Sequence, residues 1–415
     1  MKAAEGEVRS SHLNDVLTFG NLPNHITQSL DQQRWIQLNG GFNRVSLMNP
    51  RHAIPLFLGA ILVCAAAQQP GSKRPLPPVG KLSPGHDMNV ARGSHTATLL
   101  PDFKVLIAGG TDDKRAVLAS TEVYDPTTEQ FTPAGRMTVP RQGHIAAVLS
   151  DGKVLIAGGA NRSGALASSE DYEYDTRRFT PRGSMHTARV RASVTVLRDG
   201  SPLVVGGTNG VQPLDSSETY SVLTGKWTLV GKMSTPRVGH SATLLPDGRV
   251  LVVGGLGPKH RVLAAAEIFD PKTKQFTHAG ELHQARFQHA AVLLANGKVL
   301  IVGGTSLEAK TSPALTSAEL YDPASLTFTV TGSLNEGRSR LPDGASLLDG
   351  RALIAGGAMS AEVFDPRTAA FRQVDGTLDA VRFNCAAIQV MDGSVRIFGG
   401  NDDKGATRKS WIYRP

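Results

Sequence analysis

The chain has 415 residues, with 44 lysines and arginines against 36 acidic residues and a net charge of +8. Only two of its residues are cysteines, which excludes a small fold held together by several disulfides. A length of this size suggests two or three domains, but an internal repeat described below overrides that expectation.

The first 67 residues predict an export signal. Residues 1–47 carry no repeat and no periodicity, and we expect them to be disordered or not translated. A basic segment at 48–52 precedes 14 apolar residues, Ile54 to Ala67, which are too few for a comfortable membrane span. Small residues then precede Gln68, as at a signal-peptide cleavage site. We therefore predict a signal peptide over 48–67 starting at Met48, a linker over 68–73, and a secreted or periplasmic mature chain.

Two alternatives to the signal peptide stay open. The same apolar stretch is compatible with a short membrane anchor. Lipid attachment at Cys64 is disfavoured, because Val63 is a poor residue in front of a lipidated cysteine. After cleavage only Cys385 remains, so no internal disulfide is expected.

The rest of the chain is a repeat array. Gly-Gly pairs recur with first glycines 49, 48, 48, 49, 53 and 43 residues apart, a period typical of stacked units that cannot bury their apolar face alone. The seven pairs begin at Gly109, Gly158, Gly206, Gly254, Gly303, Gly356 and Gly399.

The fourth copy shows what one unit contains. Two β-compatible runs flank Asp247-Gly248, a strong hairpin signal, and the second run ends at Gly254-Gly255. A polar loop leads to a third strand that stops at Asp270-Pro271, because proline cannot donate to the ladder. A short fourth strand follows at residues 275–277. Four antiparallel strands per copy make one propeller blade, so the sequence predicts an all-β, seven-bladed propeller.

The other copies repeat these marks with changes. The hairpin dipeptide recurs except in the first copy, which has Asp102-Phe103, and the Asp-Pro turn is lost at Ser221-Val222. The combination of double glycine, aromatic-Asp-Pro and a fourth-strand aromatic resembles the kelch repeat over residues 74–415. Because the fourth-strand aromatic is Trp227 in one copy and phenylalanine in the others, the resemblance is to the bacterial, galactose oxidase-like branch.

The last copy stops after three strands. Residues 77–82 match 132–137, which close a fourth strand in the first copy, so we expect a segment near 74–80 to complete the C-terminal blade. Pairing the two ends in one sheet would close the ring and remove its exposed edges.

Arginines recur once per copy at Arg92, Arg141, Arg189, Arg237, Arg286 and Arg382. We predict that they are buried and paired with the third-strand glutamates Glu122, Glu218, Glu267, Glu319 and Glu362, because buried charges persist only when paired. The alternative is that they line the channel mouth and hold an anionic ligand. A ring of charge is not the basic patch of a nucleic-acid-binding protein, so no nucleic acid is expected.

Histidines also recur, at His95, His144, His240 and His289. Because whole blades separate them, and three blades carry Ala192, Pro342 or Cys385 near that point, we interpret them as packing residues and expect no metal. The resemblance raises copper radical chemistry, which needs a tyrosine–cysteine crosslink. Since the single mature cysteine falls in the packing position, we assign no catalytic residue and no cofactor.

The loops after Gly-Gly are long, polar and variable, and they share one face of the predicted disc. Such loops on a rigid scaffold usually carry recognition. We therefore predict a monomeric, non-enzymatic module that binds a glycan or a protein through this face. The alternative is an enzyme at the channel mouth, similar to sugar mutarotases or to galactose oxidase. The candidate ligand-binding residues are Asp112, Asp113, Arg115, Arg162, Lys259, Arg261, Asp402 and Asp403.

Overall fold

A computed structural model describes residues 79–306, 313–342 and 344–415. The predicted signal peptide and everything else before residue 79 lie outside the described residues. Within them the strands form seven four-stranded antiparallel sheets, which confirms the seven-bladed propeller. We number the blades 1 to 7 by the order of their first strands. The described residues contain no helix long and apolar enough to cross a membrane.

The strands of blades 1 to 4 follow one another along the chain. Blade 1 comprises Thr96–Leu99, Val105–Ala108, Ser120–Asp125 and Gln130–Arg136. Blade 2 comprises Ile145–Val148, Val154–Ala157, Ser169–Glu173 and Arg178–Arg182, with a small ribbon, Ala160–Asn161 and Gly164–Ala165, in its loop. Blade 3 comprises Ser193–Val196, Pro202–Val205, Leu214–Ser221 and Lys226–Arg237. Blade 4 comprises Ser241–Leu244, Val250–Val253, Ala265–Asp270 and Gln275–Glu281, with a short 3-10 helix, Pro258–His260, in its loop.

Blades 5 to 7 complete the ring. Blade 5 comprises Ala290–Leu293, Val299–Val302, Ala318–Asp322 and Thr327–Val330. Blade 6 comprises Ala345–Ser346, Ala352–Ile354, Glu362–Asp365 and Ala370–Gln373. Blade 7 comprises Ala386–Gln389, Val395–Phe398 and Ser410–Arg414, and its fourth strand is Lys81–Pro84 from the other end of the array.

The apolar core lies between the blades. The second strands are buried on both faces, as in Val250–Val253, and they pack against the strands of the next blade. Leu203 and Val205 of blade 3, for example, belong to the same apolar cluster as Val250 and Val252 of blade 4. Each such side chain contributes about 1.5–3 kcal/mol when it leaves water. The first strands of successive blades contact each other all the way round, so they surround the central channel.

The double glycines are required by backbone geometry. Gly254 and Gly255 both have positive φ, 61° and 100°, a region that residues with a Cβ enter only at a cost. A Cβ on Gly254 would also lie 2.5 Å from the carbonyl oxygen of Arg286. The fourth strand of this blade continues to Glu281, so it is longer than the three residues predicted.

A strand from the N-terminal side of the array completes blade 7 and closes the ring, as predicted. It lies six residues further along the chain than the predicted alignment placed it. Leu82 pairs with Tyr413, as Phe131 pairs with Tyr124 in blade 1. Leu82 therefore corresponds to Phe131 and not to Met137, whose place is taken by the buried Met88. Of the segment 74–80 only the last two residues are described. They precede the strand, and Tyr413 donates a hydrogen bond to the carbonyl of Val79, 2.8 Å.

Candidate binding site on the loop face

The repeated arginines belong to the scaffold in six blades. Each is buried and forms an ion pair of 2.7–3.2 Å with a buried glutamate on the third strand. In blade 4, Arg237 Nη2 lies 2.7 Å from Glu267 Oε1, and its Nη1 donates to the carbonyl of Gly254, 2.9 Å. The prediction of structural pairs is confirmed, and the alternative that these arginines line the channel mouth is wrong for these six. The pairs are Arg92–Glu122, Arg141–Glu170, Arg189–Glu218, Arg237–Glu267, Arg286–Glu319 and Arg338–Glu362.

Sequence reasoning missed Glu170 and Arg338 in this set. The signal was present, because Arg338 lies four residues after the buried Leu334, just as Arg141 lies four residues after Met137. The longer spacing between the fifth and sixth double glycines concealed it.

Blade 7 departs from the pattern at Arg382. Trp411 occupies the strand position that holds glutamate in blade 1, so no third-strand carboxylate is available. Arg382 instead pairs with Asp402, 2.7 Å, and Asp379, 2.9 Å. Burial opposes ionisation of Asp402, but the N–H groups of Lys404 and Gly405, with Arg382, keep its pKa below the usual range. Asp402, predicted as a ligand residue, thus holds its own loop in place.

The repeated histidines connect neighbouring blades. His144, His240 and His289 each place Nε2 2.9–3.0 Å from a hydroxyl on the first strand of the preceding blade. Those hydroxyls belong to Thr96, Ser193 and Ser241. Burial lowers the pKa of all three imidazoles, and of His95, to about 3, so they are neutral near pH 7.

These side chains do not fit a copper site. The histidines lie one or two blades apart, and three of the four are already engaged with a hydroxyl. Among the described residues no three His, Cys, Asp or Glu side chains converge as metal ligands. Cys385 is buried, which raises the pKa of its thiol to about 12 and keeps it protonated.

One cleft on the loop face lies between blades 7 and 1. It encloses about 330 Å³ and is lined by Asp112, Arg115, Gln142, Asn401 and Asp402, among others. Asp112 Oδ1 accepts hydrogen bonds from the N–H groups of Lys114 and Ala116, 2.9 and 2.7 Å, so its loop is pinned. Three of the eight predicted residues therefore come together here, and the exposed Asp113 and Asp403 lie on the same two loops.

A second cleft on this face lies between blades 3 and 4. It encloses about 490 Å³, and its polar lining includes Thr208, Gln212, Asp215, Lys259 and His260. The exposed Arg261 lies on the same loop as Lys259. The exposed Arg162 belongs to the ribbon loop of blade 2, so the structure does not bring all eight predicted residues into one site.

The opposite face, which carries the Asp-Gly hairpin turns, has a larger cleft. About 800 Å³ opens beside Leu223, where blade 3 has lost the Asp-Pro turn. Its acidic residues are already engaged, because Asp151 pairs with Lys153, 2.9 Å, and Asp199 accepts from Ser201, 2.6 Å. These carboxylates stabilise their own turns, and the lining also carries Thr219, Ser221, Thr228 and Lys274.

A ring of residues surrounds the channel mouth on the loop face. In each blade the residue two positions after the repeated arginine has positive φ, 51–64°, and stands just before the innermost strand. Neighbouring members are joined by backbone hydrogen bonds such as Gly143 N to Ser94 O, 3.0 Å, and Arg191 N to Gly143 O, 2.9 Å. The ring residues are Ser94, Gly143, Arg191, Gly239, Gln288, Arg340 and Asn384.

Two members of this ring are arginines, which sequence reasoning overlooked. Arg191 and Arg340 are exposed, whereas the other five are half-buried. Although the Arg191 side chain contacts solvent, the protein groups crowded around its guanidinium, and after them the charge of Arg340, lower its pKa. Arg340 lies over the ring of Phe383, 5.5 Å from its centre. The sequence did contain a signal, because each of these arginines lies two residues after one of the buried, paired arginines.

Comparison with known proteins agrees with this architecture. The Kelch motif family model matches residues 203–234, from the second to the fourth strand of blade 3. Among many similar solved structures, one is a fungal alcohol oxidase of the AA5 family in complex with copper. It is 18% identical, with a TM-score of 0.66, and the match covers 81% of this chain and 76% of that one. No curated protein sequence matches the chain.

Proposed function

We propose that this kelch-repeat β-propeller is a binding module that takes a polar ligand, a glycan or a protein surface, on its loop face. The observation that carries the proposal is the pair of clefts at loop junctions, lined by charged side chains on loops that are pinned by their own hydrogen bonds. Pinned loops lose little conformational freedom on binding, which favours affinity.

The charges of this face are mixed. Asp112 and Arg115 share one cleft, while Lys259 and Asp215 share the other. Mixed donors and acceptors suit sugar hydroxyls or the polar rim of a protein interface better than a partner of one charge sign.

A glycan array probed with the mature chain tests the proposal. Replacing Lys259 or Arg115 with alanine should weaken binding to any glycan found, because each lines a cleft. Lys274→Ala, in the cleft of the opposite face, is the matched control and should bind like the wild type. Equal loss in Lys274→Ala, or no loss in the loop variants, would contradict the proposal. An array without hits would direct the search to protein partners, tested by the same three variants.

An enzyme at the channel mouth is the second candidate, favoured by the fold shared with an alcohol oxidase. The ring around the mouth has neither a carboxylate nor a histidine, the groups that most often serve as general acid or base. Incubation with sugars and primary alcohols, followed by NMR and a peroxide assay, distinguishes the two candidates. Turnover that is lost in Arg191→Gln would favour the enzyme.

We also propose that the chain is exported, from the pattern at residues 48–68. Expression from Met48 in a bacterium should yield a periplasmic or secreted protein that begins at Gln68, as N-terminal sequencing would show. An uncleaved, membrane-bound product would favour the anchor.

A further inference from the structure

We infer that the channel mouth on the loop face is an anion-binding site, in which Arg191 and Arg340 hold a carboxylate or phosphate group of a small ligand. The inference rests on the proposed use of the loop face for binding and names the chemical class of its ligand.

The two arginines belong to blades 3 and 6, as nearly opposite as a seven-membered ring allows. Hydrogen-bonded chain segments lie about 5 Å apart, so residues three steps apart on such a ring are roughly 11 Å apart. Two extended arginine side chains that start on opposite sides of the opening are long enough to bridge that distance through one small anion. Burial, and after it the positive charge of Arg340, lowers the pKa of Arg191.

The ring fixes where both side chains start. Arg191 N donates to Gly143 O, 2.9 Å, and the Arg191 side chain lies over Gly143, where a Cβ would be 3.5 Å from Cγ. Arg340 O accepts from Asn384 N, 3.1 Å, while its guanidinium lies over Phe383. The backbone at both positions is therefore held by neighbouring blades.

Neither guanidinium has a carboxylate partner within the described residues. This contrasts with the six buried arginines of the scaffold, each of which has a glutamate. Of the acids on the adjoining loops, Asp112 caps its own turn and Asp402 is paired with Arg382. Two like charges that face each other repel, and a bound anion removes that repulsion while accepting hydrogen bonds from both.

The remaining ring members suit an organic ligand. Ser94, Gln288 and Asn384 provide a hydroxyl and two amides around the same opening. Those groups pair with hydroxyls on the ligand, whereas the guanidinium fork matches the planar carboxylate or the phosphate. An acidic or phosphorylated sugar satisfies both requirements.

Isothermal titration with D-glucuronate, D-glucose and inorganic phosphate tests this at low ionic strength. Glucuronate and phosphate should bind, and glucose should bind at least tenfold more weakly. Arg191→Gln and Arg340→Gln should each weaken anion binding about 10- to 100-fold, as expected for loss of a charge-assisted hydrogen bond. The control is Lys274→Gln, a cation in the cleft of the opposite face, which should bind like the wild type.

A thermal scan without ligand separates binding from folding. Both ring variants should melt at the wild-type temperature or above it, because each removes one of two like charges from the channel mouth. Anion binding that survives in both variants, or glucose binding as tight as glucuronate, would overturn the inference. Glycan binding that depends on Lys259 but not on the ring arginines would overturn it while leaving the proposed function in place.

Discussion

Lowering the pH from 7.5 to 5.0 should destabilise this propeller strongly, because four histidines are buried as neutral rings. Burial lowers the pKa of His95, His144, His240 and His289 to about 3, against a value near 6.5 in the unfolded chain. Above pH 6.5 neither state binds these protons. As the pH falls from 6.5 toward about 3, only the unfolded chain binds them, so stability is progressively lost.

The magnitude follows from linkage. Each histidine should cost up to about 1.4 kcal/mol per pH unit within that window, or about 2 kcal/mol at pH 5.0. The four together then amount to about 8 kcal/mol, which is comparable with the whole stability of a typical domain. Aspartates and glutamates, with unfolded pKa values near 4, act mainly below pH 5. The interval from 6.5 to 5 therefore reports on the histidines.

Urea unfolding followed by fluorescence of the buried Trp227 and Trp411 provides the assay, at pH 7.5, 6.5, 5.5 and 5.0. The variant His240→Ala introduces alanine, which blade 3 already has at the equivalent position, Ala192. It should remove about a quarter of the pH dependence of the unfolding free energy. Ser193→Ala deletes only the hydroxyl partner, so it should lower stability at every pH and leave the pH dependence intact. Stability that is flat from pH 7.5 to 5.0, or unchanged pH dependence in His240→Ala, would refute the reasoning.

Three further changes test the scaffold by urea unfolding at pH 7.5. Arg237→Met should cost about 3–5 kcal/mol by leaving Glu267 buried and unpaired, and adding Glu267→Gln should recover part of the loss; a cost below 1 kcal/mol would contradict the buried pair. Leu82→Ala should cost about 2–5 kcal/mol because Leu82 closes the ring, whereas the exposed Leu223→Ala should change stability by less than about 0.5 kcal/mol; equal effects would argue against closure. Phe103→Gly should stabilise by about 0.5–1 kcal/mol, since Phe103 has a φ of 66° where the other hairpins have glycine, and a loss would mean that its ring packs usefully.

The repeat architecture could be predicted because its signals are local. A double glycine marks two residues with positive φ, and an Asp-Gly pair marks a tight hairpin, so neither depends on what lies elsewhere in the chain. Counting these marks was enough to establish seven blades. The arginine–glutamate pairs also followed, because a charged residue that recurs in a buried phase needs a partner.

The register of the closing strand could not be obtained in this way. Residues 77–88 can be aligned with the first copy in two ways. One matches Gly80 with Gly135 and Leu82 with Met137, and the other matches Pro84 with Pro133 and Met88 with Met137. The pairing of Leu82 with Tyr413 selects one of them, because it places both side chains in the core.

The candidate site depended still more on tertiary structure. Asp402 looked like a free loop carboxylate, but the replacement of glutamate by Trp411 makes it the partner of Arg382. Arg191 and Arg340 are three blades apart along the chain, and no local pattern relates them. Only closure of the ring brings them to one channel mouth, since a seven-membered circle places residues that are distant in sequence across a single narrow opening.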